Sequence, residues 1–258
     1  MTITGPRTSS NRADRQQQRR GRPGWHWLRR ATLVAISLLL LAAVTGVGMW
    51  VLTPSVADAA HRVQARNAAH GAAYPGSPSP AKVVDALTAT EDASFFSNHG
   101  LDVKGLVRGA YGTVTGASDA GGATLEQQLA KILYTGGRSG PAQVAEQLAL
   151  AVKLDQHYSK TTILRLYLST VYFGDGAYGL DQAAEHYFSR TPAELDWPQA
   201  SLLAGLVQAP SAYDPVTHLA LAKKRQQHVL DRLVATGHLT QAQAQSVAAA
   251  PLGLTTSP

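Results

Sequence analysis

Residues 31–52, ATLVAISLLLLAAVTGVGMWVL, are 22 positions without a charge. No other stretch restricts the architecture of the chain so tightly. At about 1.5 Å of rise per residue, a helix of this length crosses the roughly 30 Å hydrocarbon layer of a bilayer. Arg29 and Arg30 stand just before it, and Trp25, Trp27 and Trp50 stand at its two ends, where interfacial anchors are expected. The arginines mark the cytoplasmic side, so the chain after residue 52 is expected outside the membrane. A cleaved secretory signal is the competing reading, with Ala57-Asp58-Ala59 as a small-residue cleavage pattern. The apolar run exceeds the ~7–15 residues usual for a signal core, which favours a retained anchor.

The formal charge of +6 over 258 residues is uneven. Residues 1–30 carry eight arginines and one aspartate, +7, which leaves −1 for residues 31–258. The basicity belongs to a tail, so the folded part is not expected to bind nucleic acid. There are no cysteines, and the nine histidines form no helical pair at zinc-ligand spacing, so neither disulfides nor a zinc site is expected. Beyond the apolar run, residues 53–80 read as a juxtamembrane segment and a Gly-, Pro- and Ser-rich linker. From 81 to 250 apolar residues recur at helical spacing without a clear strand, and residues 251–258 form a tail. The expected fold class is mainly α, one helical domain behind a single transmembrane helix.

Two stretches carry candidate chemistry. The first is EDASFFSNHG, residues 91–100, at the close of a helix that Ser79 and Pro80 are expected to start. Neighbouring helical side chains point about 100° apart, so Glu91 and Asp92 cannot enter one pocket. One can face a cleft while the other serves structure, and a negative neighbour moves a carboxyl group toward general-base range. The second is GGATLEQQLAKILY, residues 121–134. Its two glycines precede a capping-box pattern, Thr124 with Gln127, and a buried stripe of Leu125, Leu129, Ile132 and Leu133. Gln127, Gln128 and Lys131 then sit near a helix start that favours an anion.

In order along the chain, EDASFFSNHGLDVKGLVRGA, GGATLEQQLAK, YSKTTILRLYLSTVYFGDGAYGLDQAAEHYF, ASLLAGLVQAPSAYDP and RQQHVL resemble glycosyltransferase family 51. These are the peptidoglycan glycosyltransferases, here similar to the monofunctional, membrane-anchored form. The likeness runs from about residue 80 to 235. It implies a lysozyme-like helical domain that polymerises lipid II into β-1,4-linked glycan strands with inversion and release of undecaprenyl pyrophosphate. Glu91 is then the general base. Arg108, Thr124, Gln127, Gln128, Lys131, Asn98 and Arg225 are the expected substrate-binding positions. The resemblance also implies Mg²⁺ or another divalent cation, whose ligands the sequence does not name. The implied partners are lipid II, the growing glycan strand, membrane lipids and other cell-wall synthesis proteins. The implied location is the bacterial cell membrane, with the N-terminus cytoplasmic and the domain outside.

Three positions depart from the family pattern. Asn98 holds the place of the histidine in the first motif, with His99 one residue later, and Ala123 replaces a serine. Gln147 falls at the second glutamate of the third motif, with Gln143 and Val144 where Arg and Lys are expected. Gln147 projects inside the apolar arc of its helix and Glu146 outside it, so Glu146 reaches a site only through a one-residue shift or bulge. An amide binds Mg²⁺ less well than a carboxylate does. Two alternatives follow: a catalytically impaired relative that binds lipid II or glycan as a scaffold, and a lytic peptidoglycan-cleaving enzyme. The Ser79-Pro80-Ala81-Lys82 match to a transpeptidase S-x-x-K pattern lies in a proline-rich stretch with no downstream K-T-G, which argues against it.

Overall fold

The computed structural model describes residue 2, residues 24–106 and residues 123–255, and divides the chain into two compact units, 1–48 and 49–258. Arg108 and most of the basic tail lie outside the described residues. The first regular element, α1 (Gly24–Leu52), contains a stretch from Trp27 to Leu52 with mean hydropathy 2.3 and no buried share, long and apolar enough to cross a membrane. Its leucines are exposed all round, which suits lipid as solvent.

The second unit is helical. In order it holds α2 (Ala59–Ala69), α3 (Ala81–Glu91), a helical turn at 103–106, α4 (Leu125–Leu133), α5 (Pro141–His157) and α6 (Lys160–Thr170). A two-stranded antiparallel hairpin follows, β1 (Tyr172–Gly174) with β2 (Ala177–Tyr178), too short to show as an alternating run. The chain continues with α7 (Gly179–Phe188), a 3₁₀ turn (Pro192–Glu194), α8 (Trp197–Leu206), α9 (Leu219–Ala235) and α10 (Gln241–Ala249).

The apolar helix α8 is the central post. All of its residues after Trp197 are buried, and Asp196 caps it by accepting a bond from the Gln199 amide. Helix α8 packs on α3 and α9, while α4 packs on α5. One continuous core runs through these helices, from Val56 and Val63 to Leu230 and Leu233.

Two expectations about the start of the domain are corrected. Residues 53–80 are not a free juxtamembrane linker: Val56, Ala59 and Val63 are core residues of the second unit. Asn67 donates to the carbonyls of Ala73 and Ser169, and Asp181 accepts from the amide and hydroxyl of Ser77, so residues 71–80 are held to the domain. Ser79 does not cap α3. Pro80 takes the cap position with φ −66° and ψ 143° and offers no side-chain bond, because its fixed φ already suits the entry.

Candidate active site

The two acids that close α3 part company as their 100° offset requires. Asp92 is buried and turns away from solvent. It accepts bonds from the Leu125 amide (3.2 Å), the Ser94 amide and hydroxyl (3.2 and 2.9 Å) and Asn98 Nδ2 (2.9 Å). One carboxylate thereby ties the 92–100 loop to the first turn of α4. Gly100 completes the junction at φ +81°, where a Cβ would stand 2.6 Å from the Ala151 carbonyl oxygen, so the loop can approach α5 only with glycine here.

Glu91 faces an open groove of about 650 Å³. Its Oε1 accepts a bond from Arg225 Nη2 at 3.0 Å and its Oε2 accepts one from Gln128 Nε2 at 3.2 Å. The buried Tyr167 hydroxyl donates to Gln128 Oε1 at 2.6 Å, which fixes the amide with its NH₂ toward Glu91. Burial pushes the Glu91 carboxyl above the usual range, opposed by the Arg225 charge and the two hydrogen bonds. Burial first and Glu91 second hold the Tyr167 phenol well above its ordinary value, so it stays a donor. Arg225 is steadied by donating through Nε to the Gly205 carbonyl at 3.3 Å. A Cβ at Gly205 would meet the arginine Cγ at 3.1 Å.

The same groove is lined by Gln127, Gln128 and Lys131 of α4, by Gln147 of α5 and by Arg66 of α2. Thr124 caps α4 through the Gln127 amide at 3.2 Å. The other half of the expected capping box is not among the bonds made, and the Gln127 side chain lines the groove instead. The Lys131 carbonyl accepts from the Thr135 hydroxyl and the Gly137 amide, while its ammonium makes no hydrogen bond or ion pair among the described residues. Arg66 stacks 5.6 Å over the Tyr178 ring, and its Nε is buried without a hydrogen-bond partner. Leaving such a donor unsatisfied costs about 1–3 kcal/mol. Nothing in the sequence motifs singled out Arg66, because it lies ahead of them on α2; only the fold brings it to the groove.

Apart from the groove lies a second, largely buried ionic cluster. Lys160 donates to Glu126 Oε1 (2.6 Å) and Asn98 Oδ1 (2.8 Å), pairs with Asp155 Oδ1 (2.7 Å), and sits 4.8 Å over the Phe95 ring. Glu126 is wholly buried, and burial raises its carboxyl, with Lys160 acting against that shift.

Several expected site residues find other work. Asn98 and Thr124 do not line the groove. Asn98 spends its amide on Asp92, the Gly100 amide and Lys160, and the Thr124 hydroxyl donates to the Gly100 carbonyl at 2.9 Å. Their geometry is that of struts. His99 is 96% exposed and cannot supply what Asn98 does. Ala123 lines the groove without a hydroxyl. On the unbroken helix α5, Gln147 lines the groove while Glu146 is half-buried and does not, since no bulge turns it inward. Gln147 Nε2 donates to Thr135 Oγ1 (2.8 Å) and to the Arg138 carbonyl (2.7 Å), bracing the turn between α4 and α5.

The residues present do not fit a divalent cation. Mg²⁺ asks for near-octahedral oxygen ligands, carboxylates foremost. Glu91 is the only carboxylate lining the groove among the described residues, and both its oxygens already accept from Arg225 and Gln128. Among those residues no three His, Asp or Glu side chains converge as a ligand set.

A largely buried carboxylate braced by an arginine and an amide thus faces a groove that also carries the Lys131 and Arg66 side chains. A family model described as Transglycosylase matches residues 59–234. Penicillin-binding protein 1A of Aquifex aeolicus is 38% identical over 175 residues, 67% of this chain and 24% of that protein. The Neisseria flavescens penicillin-binding protein 1A is 37% identical over 162 residues, covering 62% and 20%. Penicillin-binding protein 1F of Bacillus subtilis is 32% identical over 176 residues, covering 68% and 25%. A crystal structure of penicillin-binding protein 1A from Haemophilus influenzae aligns with TM-score 0.37 and 28% identity over 39% of this chain and 15% of that one. The chain spans a fifth to a quarter of the length of these curated relatives. It belongs to the transglycosylase family, glycosyltransferase family 51.

Proposed function

We propose that the protein is a membrane-anchored peptidoglycan glycosyltransferase that extends glycan strands from lipid II. The observation that carries this reading is Glu91, buried yet open to the groove, held by Arg225 and by the Tyr167–Gln128 relay. Glu91 takes the proton from the 4-hydroxyl of the acceptor N-acetylglucosamine. That oxygen forms a bond to C1 of the donor N-acetylmuramic acid on the face opposite the diphosphate. The C1–O bond breaks, its electron pair stays with the diphosphate oxygen, and the anomeric centre inverts. The developing charge requires cationic or amide donors in the groove, which Lys131, Arg66 and Gln127 of its lining supply. Helix α1 serves as the anchor, with its basic flank cytoplasmic, and confines the enzyme to the surface that holds its lipid-linked substrates.

The test is polymerisation of labelled lipid II by the detergent-solubilised chain beside Glu91→Gln. Strands from the parent and a loss of about 10²-fold or more in the variant support the assignment. Lipid II bound without product by either protein would identify a scaffold, for which Gln147 at the second acid position is the motivating observation. Release of fragments from finished peptidoglycan would identify a lytic enzyme.

A further inference from the structure

We infer that this groove receives the donor diphosphate on Arg66 and Lys131 directly, so that the chain works without a divalent cation. The inference rests on the glycosyltransferase reading above and departs from the metal dependence the family resemblance implies.

Three observations point the same way. First, the position where a second acid is expected holds Gln147, and its NH₂ is committed to Thr135 Oγ1 and the Arg138 carbonyl. A carboxylate there would lose the bond to the Arg138 carbonyl, because neither of its oxygens can donate, and could keep Thr135 only by accepting from its hydroxyl, which now donates elsewhere in the turn. The amide is therefore built into the turn and does not merely fill a vacant place. Second, the groove's carboxylate is already neutralised by Arg225 within the protein, leaving no anionic pair to hold a metal between itself and a phosphate. Third, two cations line the groove with no carboxylate partner among the described residues. The Lys131 ammonium has no bonding partner among the described residues, and Arg66 keeps a buried Nε–H without an acceptor.

A diphosphate supplies what both lack. Arg66 offers a planar fork suited to phosphate oxygens and Lys131 a point charge. In the transfer step the leaving diphosphate gains the electron pair of the C1–O bond. The cations meet that new charge, while the acceptor's proton rests on Glu91 before passing to solvent.

The test uses inorganic pyrophosphate as the probe, titrated calorimetrically into the detergent-solubilised full chain in EDTA and again in Mg²⁺. Expected is binding in EDTA, weakened roughly tenfold or more in Arg66→Gln and in Lys131→Gln, with Arg66→Lys recovering part of it. Thermal melts of each variant show whether the fold is intact. Gln147→Glu is expected to weaken pyrophosphate in EDTA and to regain it with Mg²⁺, since it adds the missing acid. Lipid II polymerisation is expected to persist in EDTA, and Arg66→Gln to lower kcat more than it raises KM. Pyrophosphate binding only with Mg²⁺, or strand synthesis abolished by EDTA, overturns the inference. A chain that makes no strands in either medium sinks the polymerase reading, and the pyrophosphate titration then still decides the cation assignment.

Discussion

At the scale of single residues, the adjacency of Glu91 and Asp92 has a simple physical meaning. One helical step separates the carboxylate proposed as the base from a structural one, which fixes the loop to α4. The pH behaviour of Glu91 follows from the forces upon it. A base acts only when ionised, and burial raises this carboxyl, so the acidic limb of kcat/KM is expected above the usual glutamate range. Arg225 opposes that rise through its charge and hydrogen bond. Arg225→Gln is therefore expected to move the acidic limb to higher pH and to lower the rate at neutrality. An unchanged limb in the pH profile would show that Arg225 does not tune the base.

At the scale of elements, α6 begins with a cation, against the preference of a helix start for negative charge. Lys160 is tolerated at its first position because Asp155 at the end of α5 and Glu126 in α4 both face it. This cluster joins three helices beneath the groove, and Glu126 has no other charge partner that the structure shows. Lys160→Ala leaves an uncompensated buried carboxylate, which is expected to destabilise the fold by about 3–5 kcal/mol in denaturant titration. The sign with pH is also determined. Without Lys160 the Glu126 carboxyl rises further, so the deficit is smallest in acid, where that group is protonated, and grows as pH rises through its raised value. A deficit independent of pH would mean that the lost packing on Phe95, not the charge, is responsible.

At the scale of the whole molecule, the anchor and the domain obey different solvents. Helix α1 needs only an unbroken apolar surface, so Leu39→Arg with Leu40→Arg is expected to cost about 2.5–3.5 kcal/mol for each charge at the bilayer centre. Alkaline extraction of membranes would then release the variant and retain the parent. That helix was legible in composition alone, because lipid asks nothing of partner residues. The helical class, the cap at Thr124 and the inward face of Gln147 were legible from local spacing, because each depends on neighbours within a turn or two. Arg66 at the groove, Lys160 as an internal hub and Asn98 as a strut were not. The contacts that join them to distant groups, Arg66 with Tyr178, Lys160 with Glu126 and Asn98 with Lys160, cross 34 or more positions of sequence, and only tertiary packing chooses which distant groups meet. From its sequence alone this protein had its apolar helix, its helical class and the carboxylate proposed as its base. Which cations share the groove with that carboxylate was decided by the packing of α2, α4 and α9 around it, since electrostatic pairing depends on distance through space.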